Sequence, residues 1–253
     1  MNRAALAAAA AALLAAATPA AAQWTAGASV ERFQWHEHTS PIEVRESGPR
    51  FAGEIGWAVP VARGPLVAAR ARAYGGSVDY SGSFQFDATR AATGASTYTG
   101  WTLAGELRWR VPSAADAVAA LEYETWRRRL SRTQDERYRI TSARFGADHG
   151  AAHASRWTAA LGLRVILETS EDASIEEDGV RYGLRFSPGP GSNMYARAGW
   201  RLWPHVTAEA YADGMRLGRS NTIVLRKRGR PQAFVTQPST DMDVVGLRFV
   251  YGW

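Results

Sequence analysis

The chain has 253 residues, with 30 basic and 24 acidic side chains, a net charge of +6 and a pI near 10.0. It holds no cysteine, which excludes disulfide staples, thiolate nucleophiles and cysteine metal sites. All the basic residues but Lys227 are arginine, which keeps its charge when enclosed and pairs bidentately with carboxylates; laid out on strand faces behind an export signal, they do not suggest a nucleic-acid partner.

Met1-Asn2-Arg3 supplies a positive start, Ala4 to Ala17 an apolar run, and Thr18-Pro19-Ala20-Ala21-Ala22 a small-residue end. That order predicts a secretory signal peptide over residues 1–22, cleaved after Ala22, leaving a domain over 23–253. The apolar run is short for a membrane-spanning helix, which needs about 20 apolar residues.

Beyond it the chain alternates apolar and polar with period two, the period of a strand. In 51–59, Phe51, Gly53, Ile55, Trp57 and Val59 oppose Glu54. In 101–111, Trp101, Leu103, Leu107, Trp109 and Val111 oppose Glu106, Arg108 and Arg110, and in 156–168 Trp157, Leu161, Leu163, Val165 and Leu167 oppose Arg164 and Glu168. Strands are expected over 24–38, 48–60, 65–79, 98–111, 117–130, 136–148, 155–170, 194–203, 205–219 and 242–253, with short turns alternating with longer polar loops at 39–47, 80–97, 131–135, 171–193 and 220–241. Residues 180–187 read as a hairpin arm within the fourth loop. The expected fold is all-β, an antiparallel transmembrane up-and-down barrel of about ten strands, with twelve as the alternative if 180–187 and Thr222–Arg226 each supply another.

The last strand places Val245, Leu247, Phe249, Tyr251 and Trp253 on one face and Arg248 on the other. That finish resembles the terminal signature of bacterial outer-membrane barrels, and Leu247, Phe249, Tyr251 and Trp253 would be what the barrel assembly machinery reads. The resemblance implies export to the outer membrane; the expected partners are its lipid and lipopolysaccharide, and a monomer is expected.

An arginine facing hydrocarbon at mid-membrane costs about 2–4 kcal/mol, so the mid-strand charges are expected to face the lumen. They are Glu54, Arg70, Arg72, Glu106, Arg108 and Arg110 in the first half, then Glu122, Glu124, Arg164, Glu209 and Arg248. Arg108 and Arg110, projecting inward with Glu106, would pair with Glu122 and Glu124 on the next strand. Ten strands enclose little more than side chains, so a plugged interior is expected. Arg127, Arg128 and Arg129, with Arg226, Lys227 and Arg228, form two basic clusters at the outer rim, suited to lipopolysaccharide phosphates.

Enzymatic constellations are weaker. An omptin-like protease needs an acidic pair and an Asp/His pair, but the acids Glu171, Asp172, Glu176, Glu177 and Asp178 come without histidine and read as a solvated loop. His153-Ala154-Ser155 with Glu168 resembles a lipid A deacylase set, yet the two ends lie some 13 residues, about 43 Å of strand, apart. His36 and His38 share a strand face and could bind a metal, but with no third ligand nearby they read as a polar rim. No catalytic residue, metal site or cofactor is assigned.

Phe33-Gln34-Trp35-His36-Glu37, Glu46-Ser47-Gly48, Tyr74-Gly75-Gly76-Ser77-Val78-Asp79-Tyr80-Ser81-Gly82 and Tyr98-Thr99-Gly100-Trp101 resemble the signatures of a family of uncharacterised proteobacterial outer-membrane barrels. The resemblance implies the barrel and no activity. The function expected is non-enzymatic, structural or interactive through surface loops. A narrow passive pore for small solutes and a surface hydrolase are the alternatives.

Overall fold

The computed structural model describes residues 22–61, 65–84, 87–111, 115–150, 155–177, 180–227 and 230–253; the expected signal peptide, up to residue 21, lies outside them. Thirteen strands follow: β1 Gln23–Glu37, β2 Val44–Pro60, β3 Leu66–Phe84, β4 Asp87–Trp109, β5 Asp116–Arg129, β6 Gln134–His149, β7 Trp157–Glu177, β8 Val180–Phe186, β9 Ser192–Trp203, β10 Val206–Leu217, β11 Thr222–Lys227, β12 Arg230–Thr236 and β13 Thr240–Gly252. Ten of them (β1 to β7, β9, β10 and β13) form a closed antiparallel ring in chain order. The seam between β13 and β1 is paired from Thr25 opposite Gly252 to Glu37 opposite Thr240. Closure satisfies backbone groups that a hydrocarbon surrounding would leave bare, at several kcal/mol each.

Outward side chains form an apolar band. At the end where β1 begins and β13 finishes stand Trp24, Trp109, Trp157, Trp200, Tyr251 and Trp253; Leu103, Leu121, Leu161, Leu163, Leu247 and Phe249 cover the middle. Trp101 and Tyr123, 5.5 Å apart, mark its far edge. Beyond that edge the outward positions turn polar, with Arg32, Arg129 and Arg137 exposed. The band and its aromatic edges match a bilayer-spanning barrel, and the strands continue past it at the far end.

Several expectations are corrected. The segment 80–97 is not a loop: β3 and β4 stay paired up to Phe84 opposite Asp87. Residues 180–186 do form the expected arm, pairing with the far end of β7. Thr222–Lys227 joins β12 in a separate two-stranded sheet, so the barrel has ten strands and not twelve. Leu225 of that hairpin packs with Ala173, Ile175, Leu184 and Phe186 in a small apolar cluster.

In β7 the register shifts between Thr141–Glu168 and Ser142–Ile166, leaving Leu167 as an extra residue. Below the bulge even-numbered residues such as Arg164 and Ile166 are buried in the barrel; above it odd-numbered ones, Thr169, Glu171, Ala173 and Ile175, take that place. Glu168 is therefore exposed on the outside rather than luminal. A bulge re-aims all residues beyond it, and no turn residue marks this one.

Candidate functional site: the sealed lumen and its outer rim

The lumen is filled in three layers. Nearest the termini, Arg248 holds Glu54 (2.9 Å) and Glu209 (3.0 Å). Across from them Asp148 binds Arg108 (2.9 Å) and Arg197, and Arg108 also binds Glu106. A cavity of about 380 Å³ lies among these groups, lined from Gln23, Trp57 and Leu66 at the terminal end up to Arg50 and Met242.

In the middle layer Glu122 takes Arg70 (3.2 Å) and Arg144 (2.6 Å), while Glu124 takes Arg164 (2.7 Å) and the Tyr74 hydroxyl (2.7 Å). Glu31 takes Arg50 (3.0 Å) and Arg72. The register explains why the expected pairing of β4 with β5 fails: Glu122 stands opposite Ala104, and Arg108 opposite Val118. Glu122 instead reaches Arg70 on β3, over Ala104 between them, and Arg144 diagonally on β6, while Glu31 and Arg50 stand directly opposite each other on β1 and β2. Arg110 lies past the end of β4 and is exposed, outside the network.

Above this sits an aromatic and aliphatic layer that the sequence reading did not anticipate. Phe33, Trp35, Tyr74, Tyr98, Trp126 and Tyr138 point inward with Ile140, Ile166, Met215 and Met242. Trp126 stacks on Tyr138 at 4.9 Å, and Trp35 meets Tyr138 edge-on at 5.6 Å. Gly100 permits this fit: a Cβ there would lie 2.6 Å from the Tyr74 ring and 2.7 Å from Trp126. The sequence signal of these residues is their parity: each lies on the same face as a luminal charge.

Arg128 caps the aromatic layer. It is buried, not on the outside as expected of a phosphate contact. Its guanidinium binds Glu46 (2.9 Å), Glu37 (2.6 Å) and Glu136 (2.8 Å) and lies 4.8 Å over Trp35. Glu46 also accepts from Tyr98 (2.8 Å), and Glu37 from the Trp35 indole (2.9 Å). Glu171, expected in a solvated loop, is fully buried beside this group, and neither of its oxygens has a hydrogen-bond partner.

These acids lie beyond the apolar band. Burial, then the Glu136 and Glu37 carboxylates, push the Glu171 carboxyl well above its ordinary range; burial likewise raises Glu136. A raised carboxyl makes the folded state hold a proton that the unfolded chain loses above about pH 4.5. Its stabilisation is therefore present at low pH and lost as pH rises through the folded value. Glu171→Gln should flatten the fall of stability above pH 5 and raise stability at pH 8, as read by urea unfolding in detergent across pH. An unchanged slope would remove Glu171 as its source.

On the outside, past the band, Arg127 binds Asp135 (2.7 Å), while Arg139 (2.8 Å) and Arg185 (2.9 Å) share Asp172. Arg127, Asp135, Asp172 and Arg185, with Arg137, stand around a groove of about 570 Å³. Arg129 and Arg226 are exposed; Lys227 ends β11, and Arg228 lies outside the described residues. Arg137, Arg139 and Arg185 were missed by reading only runs of consecutive basic residues. His153 also lies outside the described residues, while Ser155 precedes β7 and Glu168 faces outward on it.

No family model and no curated protein matches the chain. Solved structures do. The outer membrane protease OmpT from Escherichia coli is similar over 94% of this chain and 98% of its own, with TM-score 0.58 and 7% identity. The translocator domain of autotransporter NalP from Neisseria meningitidis matches over 90% and 88%, with TM-score 0.43 and 11% identity. The COG4313 outer membrane channel from Pseudomonas putida F1 matches over 94% and 98%, with TM-score 0.41 and 8% identity. The likeness to OmpT is one of fold, that of an outer-membrane barrel; at 7% identity it carries no activity.

Proposed function

We propose that the protein is an integral barrel of the bacterial outer membrane, non-enzymatic, closed to solutes and active through its outer rim. One observation carries this reading: the aromatic layer from Phe33 to Tyr138, capped by Arg128 and its three carboxylates, fills the lumen beyond the cavity. The acids there are at most 7% exposed, out of a substrate's reach, which speaks against hydrolysis at that point. The outward arginines Arg127, Arg129, Arg137, Arg139 and Arg185 lie beyond the apolar band, and Arg suits bidentate phosphate contact, which supports lipopolysaccharide as the rim's partner. Leu247, Phe249, Tyr251 and Trp253 all face outward and exposed, available to assembly machinery before insertion. The pore alternative is the weaker one, because the 380 Å³ cavity ends beneath the aromatic layer.

Purified protein in planar bilayers should show no steady conductance. Stable open-channel currents would overturn the sealed lumen and favour the pore.

A further inference from the structure

His36 and His38 stood in the sequence as a pair lacking a third ligand. The fold supplies one. His36 leaves the outward face of β1 one residue before its end, His38 follows just past that end, and their rings lie 4.4 Å apart, centroid to centroid. The short connection to β2 folds back so that Glu43 meets His36, Nε2 to Oε2, at 3.0 Å. Across the closing seam, β13 sets Asp241 opposite His36, and its carboxylate reaches His38 Nε2 at 3.0 Å. One ligand atom from each of His36, His38 and Glu43 falls within 4.8 Å of the other two.

We infer that His36, His38 and Glu43 form a binding site for a borderline divalent metal ion of the Zn2+ class, at the outer end of the barrel's closing seam. Two imidazole nitrogens and one carboxylate suit Zn2+ and disfavour Ca2+ or Mg2+, which take oxygen ligands. Tetrahedral Zn2+ with bonds of about 2.0–2.1 Å sets its ligand atoms roughly 3.3 Å apart, so the three groups need only draw together slightly. They have room to do so: the three side chains are between 30% and 44% exposed. Asp241 does not belong to the ligand triangle. Bonded to His38 Nε2, it orients that ring and leaves Nδ1 for the metal, as second-layer carboxylates do at zinc sites. The competing cation is Arg45, 2.7 Å from Glu43 Oε2, whose side chain is 69% exposed and free to swing away. The fourth position faces solvent.

The site would tie together β1, the turn after it and, through Asp241, β13. That is the one junction in the ring between strands remote in sequence.

The test uses the full barrel, purified in detergent and stripped with a chelator. Calorimetric titration with ZnCl2 should show saturable one-site binding, with CaCl2 giving none. His36→Ala with His38→Ala should abolish it. Asp241→Asn should weaken it by about 10–100-fold, the usual effect of losing a carboxylate behind a ligating histidine. Zn2+ should also raise the temperature at which the folded gel form is lost in the native chain and not in the double variant; the folded gel form of that variant without metal establishes that the barrel is intact. Absence of saturable Zn2+ binding, or equal binding by the native chain and the double variant, would overturn the assignment.

Discussion

Arg128→Ala should cost the barrel about 3–5 kcal/mol, measured by urea unfolding in detergent, because it strands Glu37, Glu46 and Glu136 in a buried layer. Its guanidinium bridges carboxylates from β1, β2 and β6, and no other cation binds them among the described ion pairs. Arg128→Lys should recover only part of the loss, since one ammonium cannot reproduce the planar fork that reaches all three. Arg185→Ala is the control. That arginine also pairs with an aspartate, but its side chain is 77% exposed, and water screens the pair to below about 1 kcal/mol. Equal losses from the two variants would mean that the buried carboxylates take up protons and satisfy one another without Arg128.

Glu122→Ala together with Glu124→Ala should likewise lower stability by at least about 3–5 kcal/mol. Glu122 anchors Arg70 and Arg144, and Glu124 anchors Arg164 and Tyr74, so the pair is the hub of the middle layer. The two single losses should not add. Arg164 lies 2.7 Å from Glu124 and 3.8 Å from Glu122, so either acid partly covers for the other, with a coupling of about 0.5–3 kcal/mol. Glu176→Ala, at an exposed position on the extension of β7, should shift the unfolding midpoint little. If it shifts as much as the hub variant, the lumen network is not what holds the barrel.

Strand identity was legible because lipid and lumen demand opposite side chains at alternate positions, and segments such as 101–109 obey that rule along their whole length. Strand ends were less legible. Residues 80–97 carry Gly, Ser and Thr, which read as loop, yet beyond the band a strand needs no apolar face, so β3 and β4 continue in polar sequence. Luminal membership of Glu54, Glu122 and Arg248 followed from parity alone. Their partners did not, because parity fixes the face and not the register, and Ala104 rather than Arg108 faces Glu122. Arg128 was misplaced for a related reason: it was grouped with Arg127 and Arg129 by adjacency, although alternate residues on a strand point to opposite sides. The third metal ligand, Glu43, was invisible because it depends on how the turn after β1 folds back.

The extra residue at Leu167 works like a phase shifter in a wave of period two. Below it the even-numbered residues of β7 face the lumen; above it the odd-numbered ones do, and the strand carries two independent codes joined at a single point. Were β7 to pair regularly while keeping Leu167, Thr169, Glu171, Ala173 and Ile175 would turn outward and Glu168, Ser170, Asp172 and Ser174 toward the lumen; excising Leu167 would remove the bulge and leave every facing as it is. One peptide unit therefore separates an oil-filled collar closed by a buried acid from a hydrophilic one. In a barrel of this kind a single unpaired residue in a strand, without any change of side-chain chemistry, decides which of that strand's side chains line the far end.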